Sequence, residues 1–70
     1  MKPTSDLLQI ARAGASLTLP MGSKPTSDLL QIARALEGDA KLTLVGTSND
    51  KPTSDLLQIA RAGKVHFVFN

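Results

Sequence analysis

The sequence predicts a small two-layer α/β sandwich, with three short helices on a three-stranded, mainly parallel sheet. Three observations carry this reading. The segment KPTSDLLQIARA occurs three times letter for letter, starting at Lys2, Lys24 and Lys51. Each copy has the apolar spacing of an amphipathic helix. Each is followed by a short alternating run, SLTLP, KLTLVG or KVHFVF, of the kind a half-buried strand requires. The chain therefore reads as one domain over residues 1–70, made of three helix–strand units at 2–20, 24–46 and 51–69.

In the first unit, Leu7, Leu8, Ile10 and Ala11 fall within one arc at 100° per residue, with Ser5, Gln9 and Arg12 opposite. Pro3 followed by Thr-Ser-Asp is a helix start signal. Thr4 is the expected N-cap, with Ser5 the alternative, and Asp6 sits in the first turn where the helix dipole favours an acid. Gly14 is the natural stop, as Gly63 is for the third copy. The middle copy is expected to run a turn longer, because Leu36 follows Leu29 by seven residues on the same face, and to end at Gly38.

Along the strands, Leu17 and Leu19, Leu42 and Leu44, and Val65, Phe67 and Phe69 share one side. Thr18, Thr43, His66, Val45 and Val68 point to the other. Strands joined through a helix run parallel with right-handed crossovers. Two arrangements fit. Strand order 1-2-3 places every helix on one face, as in a short αβ solenoid. The other places the most apolar run, VHFVF, in the centre between helix layers. The Leu/Thr alternation favours the first.

Folding does not demand identity at exposed positions, where substitutions typically change stability by less than about 0.5 kcal/mol. Lys2, Gln9 and Arg12 nevertheless recur unchanged in both later copies. The segment was copied, by recent duplication or by design, and design is the reading adopted.

Composition bounds the function. Seventy residues without a cysteine exclude disulfide staples, thiolate metal sites and cysteine nucleophiles. One histidine excludes a His-rich metal site. No apolar run approaches a membrane span, and MKPTSDLL does not read as a signal peptide, so a soluble intracellular chain is expected. The net charge of +2 comes from eight basic residues, six of them the repeated Lys and Arg.

Ligands of parallel α/β folds bind where strand ends face helix starts. Those places are the linkers Met21–Thr26 and Gly46–Thr53, and Gly22, Lys24, Thr26, Gly46, Lys51 and Thr53 are the candidate anion-site residues. GTSNDKPT resembles a phosphate-binding P-loop only superficially. Lys51 stands at the second glycine position, and Pro52 after it removes an N–H the cradle would use. Asp28 and Asp55 would repel phosphate as well, so a polar turn leading into a helix is the plainer reading.

Neither a catalytic acid pair nor a triad is evident. Of the six carboxylates, Asp6, Asp28 and Asp55 belong to helix starts, while Glu37, Asp39 and Asp50 fall in turns or at a helix end. His66 reads as a half-exposed strand residue. Arg12, Arg34 and Arg61 recur about 10 Å apart if the helices stack side by side, a stripe that could meet an acidic protein or a nucleic-acid backbone. Without interleaved aromatics for base stacking, nucleic acid is not the expected partner. VHFVF is uncharged and β-prone, so a homodimer through Val65–Phe69 or through an uncovered sheet face competes evenly with a monomer. The function expected is that of a non-catalytic structural scaffold without cofactors or metals. A binding module using the helix starts or the arginine stripe is the alternative.

Overall fold

Each copy of the repeated segment is a helix in the computed structural model, which describes residues 2–47 and 49–70. The elements alternate without exception: α1 (Thr4–Arg12), β1 (Leu17–Pro20), α2 (Thr26–Ala35), β2 (Leu42–Gly46), α3 (Thr53–Arg61) and β3 (Val65–Phe69). All strand pairs are parallel and the order is β1-β2-β3. VHFVF therefore forms an edge strand, which removes the arrangement with VHFVF central.

The helices begin one residue earlier than a hydroxyl cap would place them. Pro3, Pro25 and Pro52 are the N-caps, with φ near −60° and extended ψ, and none of the three caps makes a side-chain hydrogen bond. Proline suits the position because its ring fixes φ there and its missing N–H is not needed. The first turn closes on the proline carbonyl, which accepts from the Asp6 N–H at 3.0 Å and the Leu7 N–H at 3.2 Å. Thr4 is thus already helical, and its hydroxyl has a different partner, described below.

At the other ends, Gly14 and Gly63 take φ of +99° and +81°, the left-handed region in which a Cβ is strained. The middle helix departs from expectation. It stops at Ala35, and Leu36 is extended at φ −63° and ψ 142°. Gly38, at φ +57°, lies in a separate turn closed by the Ala40 N–H donating to the Glu37 carbonyl at 3.1 Å. Leaving the helix early buries both Leu36 and Ala40. The apolar burial outweighs one more helical turn.

Parallel register lays the side chains in rows across the sheet. Leu17–Leu42–Val65 and Leu19–Leu44–Phe67 alternate with Thr18–Thr43–His66 and Pro20–Val45–Val68. The Leu rows meet the helices and the Thr row faces away, so all three helices cover one face. Leu42 and Leu44 of the central strand are fully buried with Leu29 and Ile32 of the central helix, and among the described residues every buried core side chain is apolar. Phe67 and Phe69 stack with ring centroids 5.6 Å apart. Phe69, on the edge strand, is half exposed.

Candidate functional site

The strand-end linkers come together, and they are occupied by their own side chains. Gly46 ends β2, and the next N–H, that of Thr47, donates to Asp50 Oδ2 at 3.0 Å. The Asp50 carboxylate lies so close to Gly46 that an added Cβ would run into it, and it also packs beside Gly22. An acid whose side chain folds back on the backbone N–H three residues earlier is a common local motif. That spacing was the signal from which Asp50 could have been picked out. An anion approaching Gly46 and Thr47 meets a carboxylate already on the donor. Ser48, inside the predicted linker, lies outside the described residues.

Among the other candidates, Lys24 and Lys51 are joined through their linkers, Lys51 Nζ donating to the Lys24 carbonyl at 3.0 Å. Thr26 Oγ1 donates to Asp55 Oδ2 at 3.1 Å, while Thr53 is exposed at the far side of α3. The candidates therefore divide. Gly22 and Gly46 gather around Asp50, Lys24 and Lys51 bridge the linkers, Thr26 joins α2 to α3, and Thr53 stands apart.

What the sequence reading missed is the contact between helices. Thr4 Oγ1 donates to Asp28 Oδ2 at 3.0 Å, and Thr26 repeats this with Asp55. Sequence neighbours suggest a hydroxyl capping its own helix, yet the acceptor is 24 residues away. Around each hydrogen bond the burial of equivalent residues is also the same. One helix presents Thr, Leu and Ala at i, i+4 and i+7 (Thr4, Leu8 and Ala11), and the next presents Asp, Ile and Ala (Asp28, Ile32 and Ala35). Positions of that spacing form one stripe on a helix.

On the outer surface, a depression of about 390 Å³ between α1 and α2 is lined by Leu8, Arg12, Gln31, Arg34 and Ala35. Arg12, Arg34 and Arg61 are all exposed, each in the last turn of its helix, where a cation is favoured by the dipole. His66 lies exposed on the open sheet face between Thr43 and the β3 edge. Among the described residues no three His, Cys, Asp or Glu side chains gather as metal ligands. None of the described helices is long and apolar enough to cross a membrane. No family model matches the chain, and comparison with curated proteins and with solved structures gives no significant match.

Proposed function

We propose that the chain is a non-catalytic structural scaffold, made by repeating one helix, and by design rather than by recent duplication. One observation carries the reading: a single twelve-residue segment supplies all three helices and both sides of every helix–helix contact. The apolar side chains of that segment supply most of the core, and its Thr and Asp residues hydrogen-bond one helix to the next, which supports stacking as the work it does. Amide ¹H–¹⁵N spectra with and without phosphate test it. The scaffold gives dispersed peaks that phosphate leaves in place. Saturable shifts at Gly22, Gly46 and the Thr-Ser helix starts would replace it with an anion-binding module. Near-identical codons in the three copies would overturn the design origin.

A second reading, a module for an acidic partner, is favoured by the Arg12 and Arg34 side chains lining one groove. Retention on heparin that falls steeply with salt supports it. Elution near the void at low salt removes it.

A further inference from the structure

Because the three helices share one sequence, differences in burial between equivalent residues report neighbours and nothing else. On the stripe facing the following helix, Ala11 and Ala33 are buried, but Ala60 is exposed. Leu8 and Leu30 are half buried, while Leu57 is 48% exposed. Thr4 and Thr26 are half buried and hydrogen-bonded across, while Thr53 is exposed. The stripe facing the preceding helix shows the converse. Ile32 and Ile59 are fully buried and Ile10 is not. Asp28 and Asp55 are half buried as acceptors, whereas Asp6 is exposed.

The chain thus has two open faces, Thr53–Leu57–Ala60 on α3 and Asp6–Ile10 of α1 with Ala13 at its C-cap. They are the two halves of the contact made twice inside it. We propose that these faces join one copy of the chain to the next, head to tail, with α3 of one copy against α1 of another. The joint repeats the internal one, with Thr53 Oγ1 donating to the Asp6 carboxylate of the next copy and Leu57 packing beside its Ile10. This goes beyond the scaffold reading and does not depend on it, since a module that binds anions could assemble in the same way.

The sheet edges follow the same polarity, with one difference. Leu17 and Met21 donate their N–H groups to β2, so alternation turns the N–H of Thr18 and the position of Pro20 toward the open edge of β1. On β3, Asn70 donates to the Gly46 carbonyl and the Lys64 carbonyl accepts from Leu42. The outward groups there are those of Val65, Phe67 and Phe69. A β3–β1 joint in the internal register lacks one hydrogen bond, at Pro20, a residue that blunts the edge. It is weaker than the internal pairings for that reason. A contact between two different faces leads to a ring or a chain of copies, never to a symmetric pair.

The test uses two variants, Leu57→Glu on the α3 face and Ile10→Glu on the α1 face. Neither site is fully buried, and a dispersed amide spectrum checks that each variant folds. Sedimentation equilibrium of the parent chain over micromolar to millimolar concentrations is expected to give mass rising beyond a dimer or reaching a closed ring. Each variant alone is expected to stay monomeric. Their equimolar mixture is expected to form a 1:1 pair and stop there, because one intact face of each kind remains. Pro20→Val, restoring the residue type that β2 and β3 carry in that row, is expected to tighten association about fivefold. A parent chain that stays monomeric to millimolar concentration overturns the proposal. So does a dimer that both variants retain, which would place the contact on the sheet face or in a symmetric β3–β3 pair. If either variant is unfolded, Ala13→Glu and Ala60→Glu, at exposed residues of the same two faces, take its place and must show the same pairing.

Discussion

Replacing the same residue in all three copies separates packing from everything local. Ile10, Ile32 and Ile59 sit in identical stretches of sequence, so Ile→Ala changes helix propensity equally in each. Their surroundings differ: Ile32 and Ile59 are fully buried, and Ile10 keeps an open side. Removing three carbon groups from a buried site forfeits about 2.5 kcal/mol of transfer free energy. A partly collapsed cavity of some tens of Å³ adds about 1 kcal/mol. Ile32→Ala and Ile59→Ala are therefore expected to cost about 3.5 kcal/mol each, and Ile10→Ala about 1 kcal/mol. A domain this small rarely holds more than about 3–5 kcal/mol in total, so the first two variants stand close to unfolding. The matched Ile→Val series, about 1 kcal/mol at the buried sites, serves as the gentler version. Urea unfolding at low micromolar concentration reads all of these. Losses at Ile10 equal to those at Ile32 would refute the assignment of neighbours to each helix.

Thr4→Val and Thr26→Val are expected to cost about 1 kcal/mol each by removing a hydrogen bond to Asp28 or Asp55. Thr53→Val in the monomer changes stability by less than about 0.5 kcal/mol, and thermal melts compare the three. Gly14→Ala and Gly63→Ala, at φ +99° and +81°, are expected to lower stability by about 1–2 kcal/mol. Gly22→Ala, whose Cβ meets only ordinary contacts, is the control and stays near neutral. Lys64, a non-glycine residue at φ +60°, is strained by about 1–2 kcal/mol. Lys64→Gly relieves this against an entropy cost of about 0.5–1 kcal/mol and the loss of the hydrogen bond that Lys64 Nζ donates to the Leu36 carbonyl, worth about 1 kcal/mol, so a melting temperature at or slightly below the parent's is expected.

Much of the fold was legible because two periodicities are written plainly in the chain. The Leu/Thr alternation fixes which strand residues meet helices, and the glycines at 14 and 63 mark where two of the helices stop. The order of the strands was narrowed to two options, and the one-sided arrangement holds. The helix starts were misread for a physical reason. A threonine hydroxyl can cap its own helix or reach a carboxylate on the next, and only the first possibility is visible in local sequence. The early end of α2 was hidden similarly, since the position of Leu36 satisfies burial whether the backbone stays helical or not. Unequal burial of identical residues could not be read at all, because no property of a repeated segment distinguishes its copies. At the candidate site, Gly46 ends β2 and Gly22 lies two residues beyond β1. The role of Asp50 was passed over, although its spacing from Thr47 allows the return contact.

The account stands most directly on side-by-side helices over a β1-β2-β3 sheet, and methyl-resolved NOE spectra address this. Contacts are expected between Leu17 and Leu42, between Leu42 and Val65, and between the Thr4 methyl and the Asp28 β-protons. Thr18 and His66 are expected to show none to helix methyls. Contacts from Leu17 to Val65 within one copy, read on the monomeric Leu57→Glu variant, or from the Thr18 row to a helix, would place another strand in the centre or helices on both faces and contradict the account.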